Sequence, residues 1–170
     1  MNSFRELLEQ FRKGSLSLEE TERLLSQSFN ELQYRIEDIQ EAKLDLDRDR
    51  RTGFPEIVFG EGKTAEQIVR IMAKLYEHNG QAIATRVDET KAQTIQAQLT
   101  GTVYHESARM ITWFNRPITP IYDGYISVLS AGTSDQPVAD EAAIIAECFG
   151  NHVKRIYDIG VSGIHRLFAQ

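Results

Sequence analysis

The chain has 170 residues, which is enough for one medium-sized domain or two small ones with a buried core. Hydrophobic residues make up 41% of it and charged residues 26%, a balance typical of globular proteins that argues against wholesale disorder. The net charge of −6 argues against a nucleic-acid partner, and the absence of a long apolar run argues against a membrane span.

The first 40 or so residues carry a helical pattern. Apolar residues recur at helical spacing between Phe4 and Phe11, and Gly14 interrupts them. Ser17 with Glu20 forms a capping box, which predicts the start of a second helix. We therefore predict a helical hairpin over residues 1–41.

A highly charged stretch, residues 45–51, separates this hairpin from an α/β pattern. Short strands are predicted at residues 56–60, 81–87 and 110–114. Thr64 with Gln67 caps one helix between them, and Asp88 caps another. The apolar faces of these helices contain Ile68, Ile71, Met72, Leu75, Tyr76, Ala92, Ile95 and Leu99. The pattern predicts a small α/β domain over residues 42–116, followed by a Pro-containing linker at residues 116–123.

The last portion, residues 124–170, alternates between strand and helix signals. An apolar run at residues 125–131 is typical of a strand buried on both faces. A helix follows, with Val138, Ala142, Ile145, Ala146 and Phe149 on one side, then a strand at residues 153–159 and a helical turn at residues 164–168. This β-α-β-α order predicts the start of a parallel doubly wound sheet. Because its third strand is missing, we expect the free edge to pair with another copy.

The first candidate site is the turn between the first of these strands and its helix, with Gly132, Thr133, Ser134 and Asp135. Free backbone N–H groups and the helix dipole attract anions at such a junction. No Lys or Arg occurs from residue 117 to 153, so a phosphate bound here would depend on backbone and hydroxyl donors. A simple tight turn with a capping Ser134 or Asp135 explains the same residues.

The second candidate site follows the next strand and contains Asp158, Gly160, Ser162, His165 and Arg166. Loops at the carboxyl ends of neighbouring parallel strands line one crevice. Asp158 is a candidate acid/base or ribose ligand, and His165 or Arg166 a candidate phosphate ligand. The structural alternative is a Gly-rich turn with solvent-facing side chains.

The third candidate is the charged stretch with Arg48, Arg50 and Arg51, together with Glu61 and Lys63. A guanidinium group matches the geometry of a phosphate, so this stretch could be an arm that contacts a nucleotide. Mixed charge runs are more commonly only solvated.

Metal-site and disulfide signals are absent from the sequence. The four histidines are widely spaced, and no Cys-x-x-Cys pair occurs. Cys148, the single cysteine, lies near the apolar side of a helix, which indicates a buried structural thiol rather than a nucleophile. One cysteine and no signal peptide predict a cytoplasmic protein.

Four segments together resemble one known family. They are the run from Leu44 to Thr64, the tripeptide Ala84-Thr85-Arg86, the run from Ala131 to Pro137 and the run from Tyr157 to Arg166. They are similar to motifs of pyridinium-3,5-biscarboxylic acid mononucleotide synthase, an enzyme of nickel-pincer cofactor biosynthesis for lactate racemase that is related to aminoimidazole-ribonucleotide carboxylase. The resemblance covers residues 42–168 and adds Arg86 to the candidate nucleotide contacts.

The resemblance implies carboxylation of the pyridinium ring of nicotinic acid adenine dinucleotide, with cleavage of the pyrophosphate and release of AMP. Carbon dioxide or bicarbonate is then the co-substrate, no tightly bound cofactor is expected, and a magnesium requirement stays open. Asp135 and Asp158 are the implied catalytic carboxylates. The family's nucleophilic cysteine lies in a later segment without a match here, so we expect a shortened chain that is inactive alone.

Two other functions stay open. The chain could be a non-catalytic module that binds a nucleotide or mediates oligomerisation. It could also be a purine-pathway carboxylase acting on aminoimidazole ribonucleotide. Those carboxylases use Gly-Ser-x-Ser-Asp at the first turn, where this chain has Ala131 and Gly132 in the first two positions, which argues against the purine substrate.

Overall fold

A computed structural model describes residues 4–31, 36–38, 43–160 and 165–168. The backbone forms two compact units, Met1–Ile36 and Glu37–Gln170. No helix within the described ranges is both long enough and apolar enough to cross a bilayer.

The first unit is a pair of helices, α1 (Phe4–Arg12) and α2 (Leu18–Glu31). The predicted capping box is confirmed: the Ser17 hydroxyl accepts from the Glu20 backbone N–H at 3.1 Å, and a Glu20 carboxylate oxygen accepts from the Ser17 N–H at 3.1 Å. Helical structure does not continue to residue 40, because residues 36–38 form a strand.

The second unit contains a mixed four-stranded sheet and two packed helices. Its elements up to residue 114 are β1 (Ile36–Asp38, which begins at the unit boundary), β2 (Lys43–Asp45), α3 (Arg48–Thr52), β3 (Val58–Phe59), α4 (Ala65–Asn79), β4 (Gln81–Thr85), α5 (Glu89–Gln98), β5 (Val103–His105) and β6 (Met110–Phe114). The sheet order is β3-β4-β6-β5, with β3 parallel to β4 and the other pairs antiparallel. Strands β1 and β2 form a separate two-stranded sheet.

Helices α4 and α5 begin where their caps predict. Thr64 and Gln67 make both hydrogen bonds of the capping box, and the Asp88 carboxylate accepts from the Lys91 N–H at 2.9 Å. Of the predicted apolar faces, Tyr76 is only partly buried, and the other members are buried: Ile68, Ile71, Met72, Leu75, Ala92, Ile95 and Leu99. Burial of the Ile, Leu and Met side chains, at roughly 1.5–3 kcal/mol each, holds the helices on the sheet.

The remaining elements are β7 (Tyr125–Leu129), a single 3-10 turn (Thr133–Asp135), α6 (Gln136–Cys148), β8 (His152–Ile156) and α7 (His165–Phe168). Strands β7 and β8 pair in parallel, with Tyr125 opposite His152 and Leu129 opposite Ile156. The predicted β-α-β unit and the α/β class are therefore confirmed.

Two predictions about burial in this portion are wrong. Strand β7 is not buried on both faces, since Tyr125, Ile126 and Leu129 are 68%, 42% and 46% exposed. Two strands and one helix can cover only part of a sheet surface. The buried face of α6 also differs from the prediction: Ala139 and Ala143 are buried, whereas Val138 is 56% exposed.

Helix α6 also packs against the four-stranded sheet. A second core cluster contains Ile83, Ala108 and Met110, against which Ile145 of α6 and Phe149, directly after its last residue, pack. The ring of Phe149 lies 4.7 Å from the ring of Phe54, centroid to centroid. These apolar contacts hold α6 between the four-stranded sheet on one side and strands β7 and β8 on the other. The helix therefore packs against protein on two faces.

Candidate functional site

The two loops predicted as sites lie side by side at the carboxyl edge of β7 and β8. Three backbone hydrogen bonds join them: Ser130 N–H to Ile156 O at 3.1 Å, Ile159 N–H to Ser130 O at 3.2 Å, and Gly160 N–H to Ala131 O at 2.7 Å. The parallel pairing of the strands makes this adjacency necessary. The structure thus brings Gly160 next to the turn at residues 132–135.

The first loop is an exposed turn at the N-terminal end of α6. The Gly132 N–H donates to the Asp135 carboxylate at 3.1 Å, and the Asp135 N–H donates to the Gly132 carbonyl at 3.1 Å. Thr133, Ser134 and Asp135 are exposed. An incoming anion would therefore displace the Asp135 carboxylate from the Gly132 N–H.

Gly132 is not required by the conformation of this turn. Its φ of −139° is extended backbone that any residue adopts. A Cβ atom at this position would meet only the Ser134 Oγ, at 4.0 Å. The missing side chain therefore leaves the backbone open on its outer side, as close approach by a ligand requires.

In the second loop, Asp158 has a left-handed backbone with φ +57°, and its carboxylate accepts from Arg166 Nη2 at 3.0 Å. Both side chains are exposed, and so is that of His165. The ion pair places Arg166 against the carboxyl end of β8. Ser162 lies outside the described residues.

Asp140 of α6 supports the second loop and was not predicted from the sequence. Its buried carboxylate accepts from the Tyr157 hydroxyl at 2.6 Å. Desolvation, together with this hydrogen bond and the Asp140 charge, raises the pKa of Tyr157 to about 12. The bond ties the residue before Asp158 to the helix that carries the first turn. In the sequence, the signal for this role is that the charged Asp140 directly follows the apolar Ala139 in the helix.

Ser130 was also missed by the sequence analysis. It ends β7 directly before the turn, is 6% exposed, and its Oγ has no hydrogen-bond partner among the described residues. A buried hydroxyl without a partner is unusual, because desolvation without a hydrogen bond costs free energy. In the sequence, Ser130 lies within the apolar run at residues 125–131, and no local pattern marks it as a site residue.

Within the charged stretch, residues 48–52 form the short helix α3. Arg51 pairs with Asp45, and the Asp45 N–H donates to the Glu56 carboxylate at 2.8 Å. The Arg48 and Arg50 side chains are exposed. Glu61 and Lys63 lie at the turn before α4, where the Lys63 N–H donates to the Gly60 carbonyl.

Arg86 lies at the end of β4 and faces α6. Its Nε is 2.9 Å from an oxygen of Glu141, and its backbone has a φ of +55°. Although the distance is short, the Nε–H is not aimed at the carboxylate and makes no hydrogen bond. The contact is therefore an ion pair that links the four-stranded sheet to the helix behind the candidate turn.

Cys148 ends α6, at the opposite end from this turn. Burial, with a smaller effect of the Glu147 charge, raises the pKa of the thiol to about 12. A thiol in this state is a poor nucleophile at neutral pH. Within the described ranges, no group of three or more His, Cys, Asp or Glu side chains is arranged to hold a metal ion.

Comparisons with known proteins agree with the motif resemblance at the level of the family. Residues 36–116 match the family model described as the LarB/PurE-like N-terminal domain. The chain is also 34% identical over 172 residues to an uncharacterized protein of Methanocaldococcus jannaschii. That alignment covers 98% of this chain and 65% of the relative, so the chain spans about two thirds of the relative's length. The family-model match supports a carboxylase-type family.

Proposed function

We propose that this protein provides the nucleotide-binding site of an enzyme that carboxylates the pyridinium ring of nicotinic acid adenine dinucleotide and releases AMP, as part of nickel-pincer cofactor biosynthesis. The observation that carries the proposal is the exposed turn at residues 132–135. Its backbone is open at Gly132, it lies at the start of α6, and it adjoins the Asp158 loop through backbone hydrogen bonds. Such a junction suits a phosphate beside a reacting ring.

In this proposal the phosphate of the mononucleotide half binds the turn. The backbone N–H groups and the hydroxyls of Thr133 and Ser134 would donate to it, and the Asp135 carboxylate would leave the Gly132 N–H to the phosphate. Asp135, once released, and Asp158 are the candidate bases for the ring proton that leaves after carbon dioxide adds. Arg166, which donates to the Asp158 carboxylate at 3.0 Å, would hold that carboxylate in position.

The thiolate that adds to the ring in this chemistry is assigned to a residue other than Cys148. The pKa of about 12 leaves Cys148 almost wholly protonated at neutral pH. We therefore propose that the 170-residue chain binds the nucleotide but does not turn it over. A pure binding module is the second candidate function, and the same property of Cys148 favours it.

Nucleotide binding tests the site directly. Isothermal titration of the chain with nicotinic acid adenine dinucleotide should show saturable binding, which Gly132→Ala weakens by about tenfold or more because a methyl group blocks the approach of phosphate. Thr133→Ala should weaken binding severalfold. The matched control is Thr90→Ala on the exposed face of α5, which should bind like the wild type. Equal affinity of the Gly132→Ala variant would contradict the assignment.

Activity assays separate the candidate functions. Incubation with the dinucleotide and bicarbonate, followed by measurement of AMP, should give no turnover by this chain alone, and turnover would overturn the inactivity proposal. Aminoimidazole ribonucleotide should bind more weakly than the dinucleotide. Tighter binding of the purine precursor would instead favour the purine-pathway reaction.

Three further assignments are proposals of the same kind. Magnesium dependence is tested by repeating the titration with a chelator. Self-association, which the exposed apolar side chains of β7 support, is tested by light scattering at micromolar concentration, where a clean monomer would count against it. A cytoplasmic location is tested by fractionation.

A further inference from the structure

A second concave site lies away from the turn at residues 132–135. It is a cavity of about 470 Å³, within the size range of small-molecule sites. Its lining includes four aromatic rings and three polar or charged side chains: Phe54, Phe114, Tyr122, Phe149, Gln81, Arg116 and Thr119. Nothing in the proposed carboxylation uses these residues.

The cavity lies at the far end of α6 from the candidate nucleotide turn. Phe149 follows the last residue of α6, whereas the turn precedes the first. The helix has 13 residues, so about 20 Å separates the two ends. A ligand in the cavity and a phosphate on the turn would therefore not touch.

The cavity walls are held by contacts that a ligand need not create. Gln81 and Phe114 are paired across β4 and β6. Phe54 and Phe149 contact each other at 4.7 Å. The Ile121 N–H donates to the Gly150 carbonyl at 2.9 Å, which fastens the linker to the end of α6. Preformed walls reduce the entropy lost on binding.

Arg116 supplies the charge of this cavity. Its side chain is exposed, and it has no ion-pair or hydrogen-bond partner in the part of the chain that the structure describes. Among the described lining residues it is the charged one, and Gln81 and Thr119 add neutral polar side chains. A guanidinium offers two parallel N–H donors, which match a carboxylate.

We propose that this cavity binds a planar aromatic monocarboxylate, with the ring against Phe54, Phe149 and Tyr122 and the carboxylate on Arg116. A dianionic phosphate fits less well, because Arg116 compensates one negative charge and the carbonyl end of α6 disfavours a second. A cavity of about 150 Å³ holds one benzene ring, so 470 Å³ accommodates a bicyclic acid with some water.

The test uses 2-naphthoate as the probe and the whole 170-residue chain. Two-dimensional ¹H–¹⁵N NMR titration should show saturable shifts at residues around the cavity, with a dissociation constant at or below about 1 mM, ordinary for a ligand of this size. Arg116→Gln should weaken binding by about tenfold. The control variant Lys154→Gln removes an exposed charge on β8 and should bind like the wild type.

Further measurements test whether binding requires the carboxylate and Arg116. 2-Naphthylmethanol, which lacks the charge, should bind at least several times more weakly, and 10 mM inorganic phosphate should not displace the acid. Equal binding of acid and alcohol, equal binding by Arg116→Gln, or the absence of saturable shifts at 5 mM acid would each overturn the proposal. If Arg116→Gln is poorly folded by its NMR spectrum, Tyr122→Ala, at an exposed linker position, replaces it and should weaken binding severalfold.

Discussion

The ion pair between Arg86 and Glu141 gives a prediction in which backbone strain and charge can be separated. Arg86 joins β4 to α6 while its backbone stays at φ +55°, a conformation that residues other than Gly rarely adopt. Arg86→Ala removes the ion pair and keeps the strain. Arg86→Gly removes both. The two variants therefore differ mainly in the free-energy cost of the left-handed backbone at residue 86.

The magnitudes follow from the geometry. The ion pair is only partly buried, and the Nε–H makes no hydrogen bond, so its loss costs about 0.5–1 kcal/mol of unfolding free energy. The left-handed conformation costs a non-Gly residue about 1–2 kcal/mol. Gly recovers that amount but loses about 0.4–1 kcal/mol through the greater freedom of the unfolded chain. Arg86→Gly should therefore be about 0.5–1 kcal/mol more stable than Arg86→Ala, and close to the wild type.

Urea denaturation followed by circular dichroism measures these differences, which correspond to about 2–4 °C per kcal/mol in Tm for a chain of this size. Arg109 provides the matched control, because its φ is +52° and it has no ion pair within the described residues. Arg109→Ala should be near neutral, and Arg109→Gly slightly stabilising. If Arg86→Ala is as stable as the wild type, or Arg86→Gly is clearly less stable than Arg86→Ala, the assigned balance of strain and charge is refuted.

Three further predictions concern the thiol, the pH dependence of stability and the core. Cys148, with a pKa of about 12 rather than 9.0, has about one thousandth of the thiolate of an ordinary thiol at pH 8. The native chain should therefore react with a disulfide reagent about a thousandfold more slowly than the urea-unfolded chain. Comparable rates for the two would contradict this. Because the folded state holds the protons of Cys148 and Tyr157 more tightly than the unfolded chain does, the associated stability is present below about pH 9 and is lost as the pH rises towards about 12. Tyr157→Phe should reduce that loss in urea titrations at pH 8 and 11, and an unchanged difference would count against it. Met72→Ala should lower the unfolding free energy by about 2–5 kcal/mol, because Met72 is fully buried. Val103→Ala, at a 53% exposed position, should change it by about 0.5 kcal/mol or less. Similar effects at both sites would contradict the assigned core.

Local signals in the sequence were sufficient for the helices of the second unit. The caps at Thr64 and Asp88 depend on side chains within three residues, so their hydrogen bonds could be predicted without any knowledge of the tertiary structure. The predicted strands end early at Thr85 and Ile156 rather than at residues 87 and 159. Strand ends depend on which partner is present, and a partner is not a local property.

The features missed in the sequence depend on long-range contacts. Strand β5 exists because it pairs with β6, and its three residues carry too short a pattern to be recognised. Asp140 and Glu141 look like ordinary polar residues of a helix surface. Only the fold shows that one meets Tyr157 and the other Arg86. The candidate turn, in contrast, was predictable, because an apolar strand followed by Gly, hydroxyl residues and a helix is a local sequence pattern. The domain limits 1–41, 42–116 and 124–170 stay predictions.

Helix α6 is the element on which the candidate sites depend together. Its first residue follows the turn at residues 132–135, Asp140 holds the second loop through Tyr157, and Glu141 faces Arg86. Phe149, directly after its last residue, closes the aromatic cavity. A rigid helix transmits a displacement at one end to the other, because its backbone hydrogen bonds resist local change. A ligand that shifts Phe149 would therefore also move the turn. Chemical shifts of Gly132 and Thr133 during the 2-naphthoate titration measure this, and unchanged shifts at saturation would show that the two ends are independent.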